Sequence, residues 1–312
     1  MSRAIVFPGQ GSQAVGMGRE LAEAFPVARQ VFQEVDEALK QNLSRIMWDG
    51  PLEDLTLTEN AQPALMAVSL AVIRVLEVQG NWKLAEQAAC VAGHSLGEYS
   101  ALAAAGTFTL ADTARLLKTR GLAMQKAVPV GQGAMAALLG AEFEQAKEIA
   151  AEAAQGEVCE AANDNASGQV VISGSKAAID RAIAIAATKG LKRAMLLPVS
   201  APFHCSLMQP AADVMAEALA AVAMKAPVVP VIANVIAAPV QDPDEIRKLL
   251  VAQVTGTVRW RESVLAMKGL GVDTLVEAGT GKVLAGLVKR IDKEISAVSL
   301  NTPADIEAFL KA

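Results

Sequence analysis

Short apolar runs alternate with longer stretches of helical period from residue 4 to residue 300. That alternation restricts the chain to strands feeding helices around a mostly parallel sheet. The runs Ala4–Phe7, Ala88–Ala92, Val229–Ala233, Thr274–Glu277 and Ile295–Leu300 read as strands. Helices are expected over Ala22–Leu39, Pro63–Gln79, Leu96–Ala105, Leu110–Lys126, Cys205–Met224, Asp244–Val254 and Val283–Ile291. Gly80 and Gly106 supply stop signals.

The middle of the chain breaks this rhythm. After Pro129-Val130-Gly131-Gln132-Gly133 the pattern reads strand Ala134–Leu139, helix Phe143–Ala154, strand Val158–Ala162 and a polar turn at Asn163-Asp164-Asn165. Strand Gln169–Ser173, helix Lys176–Lys189 and strand Lys192–Pro198 follow. The order βαββαβ is the ferredoxin-like unit. The fold class expected is therefore α/β: a mostly parallel sheet flanked by helices, with an inserted ferredoxin-like subdomain. The insert spans 128–197, and residues 1–127 with 198–312 form the larger unit.

Composition removes several alternatives. At 312 residues the chain can bury a sizeable core without staples. With 53% hydrophobic and 20% charged residues it is not disordered. A net charge of −5 excludes a nucleic-acid binder that relies on overall positive charge. Cys90, Cys159 and Cys205 show neither the spacing of a zinc cage nor that of a disulfide framework. No leader is visible, and the alanine-rich stretch from Ala211 to Ala238 is broken by Asp213, Glu217, Lys225 and prolines. It cannot cross a bilayer, which takes about 20 mostly apolar residues. A cytoplasmic location is expected.

Two glycine clusters suggest a phosphate-binding loop and fail as one. Gly9, Gly11 and Ala14 follow a strand and fit a relaxed dinucleotide fingerprint, but Asp36, near the required distance, lies in a helical pattern rather than at a strand end. Gly279-Thr280-Gly281-Lys282 lacks both the leading glycine, replaced by Val276, and the closing Ser/Thr, replaced by Val283. A glycine turn after the first strand can instead bring a backbone N–H to a reacting group.

The most informative segment is Gly93-His94-Ser95-Leu96-Gly97, placed between an apolar strand and a helix. A G-x-S-x-G sequence in that setting is a nucleophile elbow, in which Ser95 projects from a sharp turn and the N–H of Leu96 faces an oxyanion. A serine needs a base. His94 is adjacent and diverges from it, which leaves His204 of the two histidines in the chain. His94 is expected to pack or to orient the loop, and Cys205 to be a small packed residue. An acidic side chain or a backbone carbonyl can each orient the imidazole, and both remain open at this point.

These segments resemble malonyl-CoA:acyl carrier protein transacylases. The likeness rests on Phe7-Pro8-Gly9-Gln10-Gly11-Ser12-Gln13, Gly93-His94-Ser95-Leu96-Gly97-Glu98-Tyr99, Arg120-Gly121 with Met124-Gln125, Asn163-Asp164-Asn165, and Ala201-Pro202-Phe203-His204. Gln253 ahead of Val258-Arg259-Trp260, and Glu277–Leu284, continue it to about residue 301. The stretch Val254–Val258 lacks the proline that many of the family carry just before the valine.

The resemblance implies a hydrolase-like body with a ferredoxin-like insert, Ser95 as the malonylated serine and His204 as its base. It implies that the main-chain carbonyl of Gln253 holds the histidine, that Gln10 and Leu96 supply the oxyanion N–H groups, and that Arg120 binds the malonyl carboxylate. Met124 and Phe203 would line the acyl pocket, with Phe203 of the malonyl-selective kind. The implied reaction is ping-pong transfer of malonyl from coenzyme A to the phosphopantetheine thiol of acyl carrier protein for fatty acid synthesis. No metal, cofactor, nucleic acid or membrane is expected, and the enzyme is expected to be a monomer. A buried carboxylate needs a bidentate cation, which gives Arg120 its own physical warrant. An acidic carrier calls for a basic patch, with Lys118, Lys126, Lys192, Arg193, Lys282, Lys289 and Arg290 as candidates. The alternatives are a serine thioesterase or esterase on the same elbow, a discrete acyltransferase of polyketide synthesis, and a non-catalytic carrier-docking module.

Overall fold

The computed structural model describes residues 2–191, 193–199 and 201–312. Ten strands form two sheets: β1 (Arg3–Phe7), β2 (Cys90–Gly93), β3 (Gly133–Leu139), β4 (Cys159–Ala166), β5 (Gln169–Ser175), β6 (Arg193–Leu196), β7 (Val231–Ala233), β8 (Ala238–Val240), β9 (Thr274–Ala278) and β10 (Ser296–Leu300). The larger sheet has the order β10-β9-β1-β2-β7-β8. Its first five strands are parallel, and β8 closes the edge antiparallel to β7.

Both faces of that sheet are covered, so its central strands read as unbroken apolar runs. Ile5 and Phe7 face one core with Val91, Val231 and Val276, whereas Ala4 and Val6 face another with Trp260, Met267 and Leu287. The first core is organised around helix Thr58–Gly80. Among the described residues this is the one helix long and apolar enough to cross a membrane, and 83% of its most apolar window is buried inside the protein. It is a core helix. It also begins ahead of the expected Pro63: the proline removes one N–H, a loss tolerated in a helix packed on most of its surface.

β1 and β2 pair with Phe7 opposite Gly93, so the chain leaves both strands at one level. That register sets Pro8-Gly9-Gln10 beside His94-Ser95 at the carboxyl end of the sheet.

The second sheet, ordered β4-β5-β3-β6, is antiparallel throughout and lies between residues 133 and 196. Ala134, Ala136 and Leu138 of β3 pack against helices Phe143–Ala154 and Lys176–Thr188. Met135, one residue out of phase, turns to the main core instead.

Several sequence expectations need correction. The turn expected at Asn163-Asp164-Asn165 is the far part of β4, and the chain reverses at Ser167-Gly168. Its polar residues have partners outside their own sheet: Asp164 N–H donates to Val258 O, and the buried Asp164 carboxylate accepts two bonds from Arg261 Nε, at 3.0 and 3.2 Å. Register shifts after Ala161 and after Asp164 bend the strand to reach them. Thr257, just before Val258, donates through its hydroxyl to Ala161 O at 2.7 Å. The helix expected over Ala22–Leu39 is two, Arg19–Ala24 and Pro26–Leu39, parted at Phe25 because a residue before proline avoids the helical region. Cys205–Met224 contains a 3₁₀ turn, Ser206–Met208, then helix Gln209–Ala220. Helices Leu43–Asp49, Trp260–Gly269 and Pro303–Lys311 carried no expectation. Of the basic candidates, Lys192 lies outside the described residues, and Lys118 is paired with Glu59 at 2.6 Å.

Candidate active site

β2 ends at Gly93 and the next helix, Gly97–Ala104, begins four residues later. The two glycines are what make this possible. A Cβ on Gly93 would fall 1.9 Å from the Gly97 carbonyl, and one on Gly97 would fall 2.3 Å from Phe7 O. Ser95, at the apex, is held at φ 54°. That left-handed conformation costs a non-glycine residue about 1–2 kcal/mol. Asn234 secures it from below: its Oδ1 accepts the Ser95 N–H at 2.8 Å and its Nδ2 donates to Gly93 O at 2.7 Å. Leu96 is the N-cap residue of the helix, and Gln10 lies just past β1. Among the described residues neither of their main-chain N–H groups donates to the protein.

Ser95 Oγ stands 2.7 Å from His204 Nε2. The other ring nitrogen, Nδ1, is 2.9 Å from the main-chain oxygen of Gln253. Gln253 is near the end of helix Pro243–Thr255, where the last carbonyls have no partner within the helix. A carbonyl can only accept, so Nδ1 carries the proton. Burial pushes the His204 pKa down to about 3, the Arg120 charge pushes the same way, and the bond to Gln253 opposes both. The imidazole is therefore neutral, and bare Nε2 accepts the Ser95 hydroxyl proton. The negative end of a helix behind Nδ1 favours the cation once that proton moves. Cys205 is buried and turned aside, donating to Pro202 O at 3.2 Å.

Arg120, itself buried, projects from helix Leu110–Lys126. This helix crosses close to the start of Thr58–Gly80, since a Cβ on Gly121 would lie 2.6 Å from Glu59 Cα and from Thr58 O. The crossing brings Arg120 Nη1 to Gln62 Oε1 at 2.9 Å. Nη2 donates to Gln253 Oε1 at 2.9 Å and to Ser95 Oγ at 3.1 Å. The Tyr99 ring lies 5.6 Å from the guanidinium carbon. Burial lowers the arginine pKa, against Tyr99 and Glu98. A cleft of about 550 Å³ opens over this group, with Gln10, Ser95, Arg120, Met124, Phe203 and His204 in its wall. His94 also touches the cleft, yet its Nε2 lies 2.8 Å from Asn165 Oδ1 and its ring packs on Trp260, away from Ser95.

The family model for the acyl transferase domain matches residues 4–302. A malonyl CoA-acyl carrier protein transacylase of Escherichia coli is 46% identical over 308 residues, 99% of this chain and 98% of its own. The chain belongs to that family of acyltransferases. Among solved structures, the acyl-carrier-protein-S-malonyltransferase of Bartonella henselae matches this acyltransferase with a TM-score of 0.97 at 56% identity, covering 100% of this chain and 99% of its own. A malonyl-transacylase solved in complex with its type II polyketide acyl-carrier protein matches with a TM-score of 0.96 at 43% identity, covering 100% and 99%.

Three residues of the acyltransferase site carried no expectation: Gln62, Asn234 and Glu98. All are buried. Gln62 lies just ahead of the helix expected from Pro63, in the turns that the structure adds to it, and its second bond, Nε2 to Met124 Sδ at 3.6 Å, ties the two helices of the pocket. Asn234 follows β7 directly, so a polar residue at the carboxyl end of a parallel strand is the signal that would have found it.

Proposed function

We propose that this acyltransferase moves malonyl from coenzyme A to the phosphopantetheine thiol of acyl carrier protein through an ester on Ser95. The observation that carries the reading is the position of Ser95 Oγ, 2.7 Å from a neutral imidazole nitrogen and 3.1 Å from a buried guanidinium. His204 Nε2 takes the hydroxyl proton as Oγ attacks the thioester carbon. The N–H groups of Gln10 and Leu96 receive the oxyanion. The carbon–sulfur bond breaks, and the departing coenzyme A thiolate takes the proton from His204. The malonyl carboxylate rests on Arg120, paired out of water in the pocket that Met124 and Phe203 line. In the second half His204 deprotonates the carrier thiol, sulfur attacks the ester, and Ser95 recovers the proton. The carrier is supported as partner by the relative solved with one.

In this reading residues 128–197 act as a small unit roofing the cleft of the larger one built from 1–127 and 198–312. Each step needs only groups of the chain and the two substrates. Exposed Lys126, Arg193, Lys282, Lys289 and Arg290 supply cations for an acidic carrier. Bacterial relatives and three free, buried thiols support a cytoplasmic setting.

Intact-protein mass spectrometry after mixing with malonyl-CoA tests the reading. A malonyl mass gain, absent in Ser95→Ala and passed to carrier protein, is expected. A gain that decays to free malonate without reaching the carrier would instead identify a thioesterase.

A further inference from the structure

Glu98 has no part in the steps above, although it lies buried directly under the elbow, in the first turn of helix Gly97–Ala104. One of its oxygens, Oε2, accepts two bonds of 2.9 Å, from the main-chain N–H of Asn234 and from Gln253 Nε2. Each donor belongs to a residue that holds part of the reacting group. Asn234 holds the Ser95 amide and the Gly93 carbonyl. Gln253 holds His204 on its main-chain oxygen and Arg120 on Oε1, and Nε2 also donates to Ser95 O at 3.0 Å. A single carboxylate oxygen therefore stands one residue away from nucleophile, base and arginine together.

The Gln253 amide shows what the carboxylate oxygen contributes there. Left alone, a side-chain amide fits its site in either orientation. Here it lies between a guanidinium, which only donates, and three oxygens that accept, Glu98 Oε2 at 2.9 Å being nearer than Ser95 O at 3.0 Å and Asn234 Oδ1 at 3.2 Å. Only one orientation satisfies both, with Oε1 toward Arg120 and Nε2 toward Glu98.

We propose that Glu98 is a positioning residue for acyl transfer, its Oε2 acting through Asn234 and Gln253 to keep Ser95, His204 and Arg120 in register. This rests on the roles given to those three residues above. Burial raises the Glu98 pKa to about 7, against the two hydrogen bonds and the Arg120 charge. The role therefore has to survive protonation, and it does, because the carbonyl oxygen of a neutral carboxyl still accepts. Glutamine offers the same oxygen at the same reach. Aspartate keeps the charge but is one methylene too short to meet both donors.

The test compares Glu98→Asp with Glu98→Gln by single-turnover malonylation, malonyl-CoA KM and ring ¹⁵N NMR of the chain's two histidines. In folded Glu98→Asp the malonylation rate should fall about 10²-fold, the effect of a misplacement near 1 Å. KM should rise, and the His204 ring signals should move while those of His94 stay. Glu98→Gln should keep the rate within about fivefold, the difference between a charged and a neutral acceptor. A role in stability alone would lower the melting temperature and leave rate, KM and ring signals unchanged in the folded fraction; that result overturns the proposal. So does Glu98→Gln losing as much as Glu98→Asp. If Glu98→Asp does not fold, Glu98→Gln decides: it should keep the malonylation rate within about fivefold and leave the His204 ring signals and the Gln253 side-chain amide signals close to those of the native chain. A loss of about 10²-fold in rate, or displaced His204 ring signals in folded Glu98→Gln, overturns the proposal. Failure of the native chain to form malonyl-serine would overturn the underlying reading instead.

Discussion

His204 and Gln253 meet through a main-chain carbonyl, with Nδ1–H donating to the oxygen at 2.9 Å. A carbonyl orients the ring as a carboxylate would, but brings no full negative charge to raise its pKa. Among the described contacts of the ring, burial and Arg120 dominate, and the imidazole is neutral well below neutral pH.

The malonylation rate should therefore show no limb at 6.5, the ordinary histidine value, which a pH–rate profile of kcat/KM measures directly. Stability follows the opposite proton balance. Between about 6.5 and 3 the unfolded chain binds a proton at His204 that the native one refuses, so stability falls as pH drops through that window and is unaffected above it. Melting temperatures of native protein and His204→Gln should converge as the pH is lowered. Parallel curves would contradict this.

Arg120→Ala should separate substrates. Loss of a buried, hydrogen-bonded cation facing a carboxylate should lower kcat/KM for malonyl-CoA by about 10²-fold or more. Acetyl transfer, with no carboxylate to hold, should be spared or improved. Equal losses for both acyl groups would remove Arg120 from carboxylate binding.

Ser95→Ala should lower turnover by about 10⁴-fold or more. Ser95→Gly, equally inactive, should be the more stable of the two by about 1 kcal/mol, since only glycine adopts φ 54° without a Cβ penalty. Paired denaturant melts provide the comparison, and equal midpoints would mean that the apex is not strained.

Two glycine substitutions should act with opposite sign. Gly97→Ala drives a methyl to 2.3 Å from Phe7 O and should destabilise by about 3 kcal/mol. Gly286→Ala, exposed inside helix Val283–Ile291 with nothing within 4 Å of the new atom, should stabilise by about 0.4–1 kcal/mol. Thermal unfolding of both variants checks the pair.

Much of this architecture was legible because periodicity and glycine punctuation report directly on it. The apolar runs around β1, β2, β7, β9 and β10 and the βαββαβ order of the middle segment are of this kind. The elbow was legible for the same reason: Gly93 and Gly97 flank a serine between a strand and a helix. Arg120 was not readable from pattern, since an arginine in a helix is ordinarily a solvated residue; it entered through resemblance. Asn163-Asp164-Asn165 misled because three polar residues have the composition of a turn. Their partners, Val258, Arg261 and His94, are far away in sequence. Gln62, Asn234 and Glu98 were missed for a related reason. Buried amides and carboxylates have no periodic signature, and their meaning lies wholly in the groups that tertiary packing brings to them.

β4 has one further consequence. Near its start Glu160 grips Ser206, two residues past His204, at 2.6 and 3.0 Å. Near its end it bridges to Val258, five residues past Gln253. The wall of the cleft is thus fastened on either side of the imidazole and its carbonyl support. One strand of the smaller sheet anchors both the loop that carries His204 and the segment that follows its carbonyl support.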